Sequence, residues 1–496
     1  MRASGILMPV TSLPSAYGIG CFSDEAYAFA DRLKAAGQTY WQILPVGPTG
    51  YGDSPYQPFS AFAGNPYLID LMTLVRQGLL KKEELDRTDF GDDPKSVDYG
   101  RLYENRLKIL RLVWERAKPE EDPAYRQFCE AQKDWLDDYC LFRAIKTSFG
   151  ESSWDRWPDD IRLREETAVA AYKEQCRDEI RFRKYLQYLF MQQWSALRAY
   201  ANAQGIRIIG DIPIYVAFDG ADAWAAPEMF QFDERRYPTA VAGCPPDAFA
   251  ADGQLWGNPL YRWEYHKQTG YAWWIRRLQR CLELYDVIRV DHFRGFDEYY
   301  AIPYGSETAA PGHWEKGPGM DLFHAMQAHF GDVPIIAEDL GYLTDSVVKL
   351  VKDSGYPGMK VLEFAFDSRE DGNYMPYTYD RNCAVYTGTH DNQTLAAWYD
   401  ELAGADRELL DDYLGLKGKP REEIVWAVIR LALSCTADTA IIPMQDLLVL
   451  GKEARMNHPS TTSGNWRWRM EKGAFTDELV RKIRRLTEVY GRMNEA

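Results

Sequence analysis

The sequence predicts an α/β fold, a closed (β/α)8 barrel of the TIM type. Eight short runs rich in Ile and Val recur along the chain, each followed by a turn with Gly or Pro and then by helical spacing. Such alternation favours a parallel sheet covered by helices, and a count of eight favours closure. The predicted strands are 5–10, 40–46, 206–211, 287–291, 334–339, 360–366, 384–389 and 439–445.

An open, doubly wound parallel sheet is the alternative fold for this alternation. Its dinucleotide-binding form carries a GxGxxG turn directly after the first strand. No such turn follows residues 5–10. We therefore favour the barrel.

Two long insertions interrupt the barrel pattern. Residues 51–200 have apolar positions at helical spacing, most clearly in 98–118 and 178–200, and are predicted to form a mostly helical insertion after the second strand. Residues 212–270 are rich in Pro, Gly, Trp and Asp and are predicted to form a long ordered loop after the third strand, over the active-site cleft.

The remaining signals favour a single catalytic domain over residues 1–496. The chain has no internal repeat and no low-complexity linker between its halves. A final barrel helix is expected to begin after Thr476, a good N-cap residue that is followed by acidic residues in the first turn.

Composition excludes several classes of partner. The formal net charge of −16 argues against nucleic acid and anionic membranes, since both repel an acidic protein. No run of about 18 apolar residues occurs, and the first apolar stretch is too short for a signal peptide. The eight cysteines are scattered without a CxxC pair, which is typical of buried thiols in a reducing compartment. We expect a cytoplasmic protein, monomeric or homodimeric.

Four of the predicted strands end at or just before an acidic residue: Asp211, Asp291, Glu338 and Asp391. A single acid in such a place is commonly a helix N-cap. Because the active site of a barrel lies at the carboxyl ends of its strands, four acids there are expected to converge on one rim. Clustered carboxylates repel each other, so the cluster favours a catalytic role.

Two of these acids have surroundings that suit different tasks. Arg289 and Asp291 are two residues apart on a strand and share a face, so the guanidinium favours an ionised carboxylate, although a structural ion pair is the alternative interpretation. Glu338 follows the apolar run PIIA, where burial favours the protonated form. An ionised nucleophile with a protonated acid is the pairing of retaining glycosidases.

These same segments carry a resemblance to a known family. DIPIYV (211–216), RVDHFRG (289–295), AEDLG (337–341) and TGTHDNQT (387–394) resemble the four signature regions of the α-amylase clan. The sequences of these four segments are similar to those of the clan's amylomaltase branch, the 4-α-glucanotransferases. Three further segments resemble that branch in particular, namely 51–71, 241–263 and 455–469.

The resemblance implies roles for individual residues. It implies three catalytic carboxylates: Asp291 as nucleophile, Glu338 as acid/base and Asp391 as transition-state stabiliser. It also implies a subsite for the cleaved glucose, lined by Asp211, Arg289 and His390, with Tyr56 stacking on the sugar. His292, next to the nucleophile, is included among the substrate-binding residues. The family usually has Gly at the position of Ser460 and an acid at that of Gln393.

The implied reaction moves a segment of an α-1,4-glucan donor to glucose or to another maltooligosaccharide. Segment 241–263 is expected to arch over the cleft and to favour a sugar over water at the intermediate. Flat faces for sugar rings are expected from Tyr51, Tyr56 and Trp256. Hydrogen bonds to sugar hydroxyls are expected from Ser54, Gln254, Asn258 and Asn465. Packing under a long loop is the alternative role for these aromatic residues.

No cofactor and no metal site is predicted, because the seven His are dispersed and neither HExxH nor an EF-hand loop occurs. A divalent ion bound by residues 291, 338 and 391 is an alternative that Arg289 and His390 oppose electrostatically. Two alternative functions remain open: a hydrolase of the same clan, and a catalytically silent glucan-binding protein.

Overall fold

The computed structural model describes residues 2–50, 52–246, 252–341, 343–369 and 374–493. Tyr51, predicted to offer a sugar platform, and part of segment 241–263 lie outside the described residues. The strands in the described part are β1 (Ala3–Leu7), β2 (Tyr40–Gln42), β3 (Arg207–Pro213), β4 (Ala240–Cys244), β5 (Gln254–Pro259), β6 (Val287–Asp291), β7 (Glu298–Pro303), β8 (His313–Lys316), β9 (Ile335–Ala337), β10 (Gly358–Val361), β11 (Cys383–Tyr386) and β12 (Thr439–Pro443).

The α-helices of the described residues lie between and after these strands. They are α1 (Asp24–Ala35), α2 (Leu71–Arg76), α3 (Lys82–Asp86), α4 (Tyr99–Ala117), α5 (Pro123–Ala131), α6 (Lys133–Ser148), α7 (Asp159–Arg162), α8 (Glu166–Gln175), α9 (Arg177–Ala203), α10 (Ala221–Ala225), α11 (Trp263–Gln268), α12 (Ala272–Leu284), α13 (Met320–Phe330), α14 (Asp345–Ser354), α15 (Leu395–Glu401), α16 (Gly404–Leu414), α17 (Arg421–Ser434), α18 (Met444–Leu447) and α19 (Asp477–Val489).

Eight of the strands close into a parallel barrel, which confirms the predicted fold class. Going round the barrel, the order is β1, β12, β11, β10, β9, β6, β3 and β2, so each barrel strand pairs with the one that precedes it among them in the chain. All eight predicted strands coincide with barrel strands. α19 also begins where expected, with the Thr476 side chain accepting a hydrogen bond from the Leu479 N–H.

Side chains alternate between the barrel interior and the helical layer, as the period of two in a strand requires. Ile209, Val287 and Ile336 belong to one small buried cluster contributed by the barrel strands. Their neighbours Ile208 and Ile288 belong instead to the large core shared with the helices. The interior face therefore includes every second residue of β3, β6 and β9.

The chain between β2 and β3 forms the eight helices α2–α9. The long helix α9 ends this region and leads into β3. Its Trp194 Nε1 donates to the Leu284 carbonyl oxygen at 3.0 Å, and Phe190 packs edge-on to Phe22 with ring centroids 5.3 Å apart. These contacts join the helical region to the barrel wall.

The region after β3 differs from the predicted loop, because it contains α10, α11 and the strands β4 and β5. These two strands form an antiparallel sheet with β7 and β8, in the order β5, β4, β7, β8. Glycines interrupt β4 and β5, and all four side chains of β8 (HWEK) lie at the partly or fully exposed edge of the sheet. The strands β4, β5 and β8 therefore lack the alternation of apolar and polar residues on which strand prediction depends.

No helix in the described part of the chain combines the length and apolar character needed to cross a bilayer. None of the eight cysteines, all within the described residues, forms a disulfide, and six of them are buried.

Candidate active site

Four charged side chains share the interior face of the barrel at its carboxyl end. Asp211 is two residues beyond Ile209 on β3, and Arg289 and Asp291 continue the series from Val287 on β6. Glu338 follows β9, two residues beyond Ile336. The period of two thus places all four on the face that opens towards the carboxyl mouth.

Arg289 links two of these acids through a single nitrogen. Its Nη1 donates to both carboxylate oxygens of Asp211 at 2.7 Å and to Asp291 Oδ1 at 3.0 Å. Asp211 is fully buried and the Arg289 side chain is 4% exposed, whereas that of Asp291 is 29% exposed. One guanidinium therefore serves two carboxylates, and Asp291 is the one that reaches the solvent.

The pKa values of Asp291 and Glu338 both lie above their ordinary range. Burial raises the pKa of Asp291 to about 6, although Arg289 opposes the rise. Burial and the negative charge of Asp291 raise the pKa of Glu338 to about 7. Arg289 favours the ionised form of Asp291, as expected, but its charge is shared with Asp211 and burial outweighs it. Arg289 donates a hydrogen bond directly to Asp291, so a single proton on the pair is favoured on Glu338.

Backbone N–H groups hold the Glu338 carboxyl group in place. The His292 N–H donates to Oε2 at 2.6 Å and the Leu340 N–H to Oε1 at 3.2 Å. His292 adopts left-handed backbone angles, with φ at 55°, which for a residue other than glycine is uncommon and marks a constrained turn. The conformation of this turn directs the His292 N–H towards Glu338, which follows the neighbouring strand β9.

The His292 imidazole is buried beside Trp256. Burial and the charge of Arg294 lower the pKa of His292 to about 3, so the ring is neutral. The rings of Trp256 and His292 meet edge to face, with centroids 4.8 Å apart. Among the described residues, His292 Nε2 has no hydrogen-bond partner. A neutral ring nitrogen of this kind can donate to, or accept from, a sugar hydroxyl.

Asp391 lies in the loop after β11 and is strongly acidic. Burial disfavours its charge, but the neighbouring His390 and the Asn457 amide together hold its pKa far below the ordinary range. His390 Nε2 lies 3.4 Å from Asp391 Oδ2, and Asn457 Nδ2 donates to Oδ1 at 2.6 Å. The Asp391 carboxylate is thus a fixed negative charge.

Tyr56 connects the two sides of the site. Its hydroxyl donates to Asp211 Oδ2 at 2.8 Å and lies 3.2 Å from His390 Nδ1. Its ring stacks on that of His390, with centroids 4.8 Å apart and an angle of 18° between the planes. One face of Tyr56 is therefore taken by His390, and stacking on a sugar requires the other face.

The remaining predicted residues make contacts within the protein. Gln254 Oε1 accepts from Trp256 Nε1 at 3.0 Å, and Ser54 Oγ accepts from the Tyr56 N–H at 3.3 Å. The amide of Asn258 is buried and donates to the Val216 carbonyl oxygen at 2.8 Å. A direct sugar contact by Asn258 stays a prediction, because the observed bonds give it a role in holding its loop.

Asn465 lies in the loop of residues 455–465 and was predicted to contribute to the site. The Asn465 Oδ1 accepts from the His458 N–H at 2.9 Å within this loop, and a sugar contact by Asn465 stays a prediction. Ser460 in the same loop has a left-handed φ of 65°, a conformation that the glycine usual in the family adopts at lower cost. Sequence reasoning missed Asn457 and Arg455, although both stand in segment 455–469, which carried the resemblance.

No group of three or more His, Cys, Asp or Glu side chains in the described ranges is arranged to hold a metal ion. The barrel mouth brings together the carboxyl groups of Asp291, Glu338 and Asp391, which influence one another electrostatically.

These features place the chain among α/β barrel proteins that carry a cluster of carboxyl groups at the carboxyl ends of their parallel strands. A family model described as 4-alpha-glucanotransferase matches residues 8–476. The chain belongs to this family, which consists of glycosyltransferase-type enzymes acting on α-1,4-glucans. The predicted resemblance is confirmed.

Individual relatives agree along nearly the whole chain. The chain is 47% identical to the 4-alpha-glucanotransferase of Clostridium butyricum over 98% of its own length and 100% of the relative's. It is also 47% identical to the Thermus thermophilus enzyme of the same name, with 99% of each chain covered. The solved amylomaltase of Streptococcus agalactiae in complex with acarbose superposes with a TM-score of 0.96 at 41% identity, covering all of both chains.

Proposed function

We propose that this protein is a 4-α-glucanotransferase that works by a retaining double displacement. Asp291 attacks the anomeric carbon of an α-1,4-glucan, while Glu338 gives its proton to the oxygen of the departing sugar. The bond to Asp291 holds the donor segment as a covalent glucosyl-enzyme. Glu338 then takes a proton from the 4-hydroxyl of an acceptor glucan, whose oxygen displaces Asp291 and leaves the free enzyme.

The observation that carries this mechanism is the register of β6 and β9. Val290 pairs with Ala337, so the next residues, Asp291 and Glu338, lie side by side on neighbouring strands. Neighbouring strands are about 4.8 Å apart. Two side chains at adjacent positions of neighbouring strands can bring their carboxyl groups to the roughly 5–5.5 Å used in retention, whereas inversion uses about 6.5–9.5 Å. A proton on Glu338 and a negative charge on Asp291 support the same assignment, with Glu338 as the acid and Asp291 as the nucleophile.

The fixed charge of Asp391 suits it to stabilise the transition state. The sugar ring gains positive charge as the bond to the leaving group breaks, and a carboxylate that is ionised throughout lowers the energy of that state. Asp211, Arg289 and His390 surround the same space and are assigned to the hydroxyls of the cleaved glucose. Their charges and hydrogen bonds are already arranged before the substrate enters.

Transfer requires that a sugar, and not water, capture the glucosyl-enzyme. A second glucan bound beside the intermediate presents its hydroxyl at high effective concentration. The sheet formed by β4, β5, β7 and β8 brings Trp256 against His292, next to the nucleophile, and gives this acceptor an aromatic wall. We assign the acceptor side of the cleft to this wall.

Incubation with maltotriose tests the proposal. A transferase gives glucose together with a ladder of longer maltodextrins, whereas a hydrolase gives shorter sugars alone. Asp291→Asn and Glu338→Gln are expected to abolish the ladder, and Asp222→Asn, which alters a buried carboxyl group bound to the Ala61 N–H, serves as the matched control. Only shorter sugars, or no products from the wild type, would overturn the assignment.

We further infer that the enzyme works in the cytoplasm on maltodextrins, including those derived from starch or glycogen. The lack of a disulfide among the eight cysteines suits a reducing compartment. Labelling the thiols in intact cells and in lysates, together with cell fractionation, tests this location.

A further inference from the structure

Two buried acids outside the proposed catalytic trio lie beneath the loop that carries Asp391. This loop, residues 387–394, joins β11 to α15. Glu363 follows β10 in a single turn of 3-10 helix, and Asp446 lies in α18 directly after β12. Glu363 is 9% exposed and Asp446 is 1% exposed. Burying two carboxyl groups is costly, so their position calls for an explanation.

Asp446 joins the beginning of the 387–394 loop to the residue that follows it. Its Oδ2 accepts from the hydroxyl of Thr387 at 2.7 Å, and its Oδ1 accepts from the Leu395 N–H at 2.8 Å. Burial raises the pKa of Asp446 to about 6, and these two donors oppose the rise. With both oxygens bound to donors, Asp446 is set up as an ionised clamp on the two ends of the loop.

Glu363 lies directly under the loop at Gly388. A Cβ atom on residue 388 would come within 2.8 Å of Glu363 Oε1 and 3.2 Å of the Asn392 Cβ, so a larger residue there would require the Glu363 side chain to move. The Glu363 N–H also donates to the Thr387 carbonyl oxygen at 3.2 Å. Glu363 and the 387–394 loop are therefore in close contact at residues 387 and 388.

The Glu363 carboxyl group is held in its neutral form. Burial and the charge of Asp446 raise its pKa well above the ordinary range, although Arg455 and Asn392 oppose the rise. Within the described residues, its Oε1 atom has no hydrogen-bond partner. A second buried negative charge beside Asp446 would be strongly disfavoured, so the pair carries one charge, and that charge is on Asp446.

The Asn392 side chain is hydrogen-bonded to Glu363, and further hydrogen bonds within the loop lead from Asn392 to Asp391. Asn392 Oδ1 accepts from the Thr389 N–H at 2.9 Å and from its hydroxyl at 2.8 Å, and Thr389 Oγ1 accepts from the Asp391 N–H at 3.3 Å. On the outer side, Arg455 Nη2 donates to the Asp391 carbonyl oxygen at 2.8 Å. The Asp391 backbone is thus fixed from both sides.

We propose that Glu363 and Asp446 are positioning residues, which hold the 387–394 loop from below and so keep the Asp391 carboxylate where the transition state needs it. This inference rests on the proposed function. The two acids touch no substrate and act through the loop. Because Asp391 acts on charge that develops only in the transition state, losing its position lowers kcat and leaves KM little changed.

The first test compares Glu363→Ala with Glu363→Gln in the disproportionation of maltotriose. The alanine variant leaves space beneath Gly388, and kcat is expected to fall about tenfold to a hundredfold with KM within about threefold. Glutamine keeps the shape and the neutral charge, so its kcat is expected to stay within about threefold of the wild type. Asp222→Asn, a buried carboxyl group elsewhere, and the exposed Glu408→Ala are the controls.

The second test is a double-mutant cycle with Asp391→Asn, followed by a sensitive assay of glucose release. If Glu363 acts through Asp391, adding Glu363→Ala to Asp391→Asn causes little further loss of kcat. Multiplied losses in the double variant, or an unchanged kcat in Glu363→Ala, would overturn the inference.

Thr387→Val provides a second route if Glu363→Ala does not fold. It removes the hydroxyl bound to Asp446 while keeping the shape of the side chain, and the same fall in kcat and the same lack of additivity with Asp391→Asn are expected. Failure of the proposed function has a different signature, since the wild type itself would then make no maltodextrin ladder. A ladder from the wild type with wild-type kcat in Thr387→Val overturns only the positioning role.

Discussion

At the scale of single residues, the site depends on how one guanidinium divides its charge. Arg289 Nη1 contacts Asp211 and Asp291 together. Asp211 is fully buried and needs this cation, so Asp291 receives only part of its stabilisation. Burial raises the pKa of Asp291 to about 6, and the shared guanidinium offsets only part of that rise. Asp291 and Glu338 interact electrostatically and therefore titrate as a pair.

This pairing predicts a narrow, bell-shaped pH dependence of kcat/KM. Activity is expected to fall below about pH 6, where Asp291 gains a proton and loses its nucleophilicity. It is expected to fall above about pH 7, where Glu338 loses the proton that it must donate. Initial rates of glucose release from low concentrations of maltotriose between pH 4.5 and 9 measure both limbs.

The control for the acid limb is Asp222→Asn. Burial raises the pKa of Asp222 to about 6 as well, but the groups that oppose this rise, Ala61 and Arg277, are not among the proposed catalytic residues. The variant should keep the wild-type profile. A profile that stays flat from pH 5 to pH 9 would contradict the assignment of the two carboxyl groups.

At the scale of elements, the antiparallel sheet beside the barrel is the least conventional part of the fold. Its strands β4 and β5 come from the segment after the third barrel strand, and β7 and β8 from the segment after the fourth. The sheet joins two insertions into one body and carries Trp256 to His292. A loop without this pairing would hold the indole less firmly.

We expect Trp256→Ala to reduce transfer more than hydrolysis. Removal of the indole opens the acceptor wall to water while the catalytic trio stays in place. The ratio of maltodextrin ladder to newly formed reducing ends, measured with maltotriose, gives the partition. Trp314→Ala, on β8 of the same sheet, is the matched control. An unchanged ratio in Trp256→Ala would remove the sheet from the account of specificity.

A second element carries a stability prediction. Asp222, in α10, has a folded-state pKa raised to about 6 by burial, so folding favours its protonated form. Wild-type stability is therefore lost as the pH rises from about 4 to about 6. Asp222→Asn removes this cost and keeps an acceptor for the Ala61 N–H, so it is expected to add about 2–3 kcal/mol above pH 6 and little below pH 4.

Urea unfolding of both proteins at pH 4, 5, 6 and 8 checks this difference. A gain in stability that is the same at all four values would indicate a packing effect in place of a charge effect.

At the scale of the whole molecule, periodicity explains what sequence could predict. The barrel strands are short apolar runs buried on both faces, so they were visible as such, and the period of two placed Arg289 and Asp291 on one face. The contact between Asn457 and Asp391 joins a loop to a residue 66 positions away, and no local pattern encodes it. Strand β8 was missed because its polar, exposed side chains are stabilised by pairing with β7 and not by burial.

The insertion and the barrel also share one hydrophobic core, which runs from Ile6 on β1 through Leu110 on α4 to Leu486 on α19. Because α9 packs on both, we expect a single cooperative unfolding transition over residues 1–496. Leu110→Ala, at a fully buried position, should lower the stability of that transition by about 2–5 kcal/mol. Calorimetry together with near-ultraviolet circular dichroism checks this, with Glu408→Ala as the surface control. If the insertion were a separate domain, two transitions would appear and Leu110→Ala would shift only one of them.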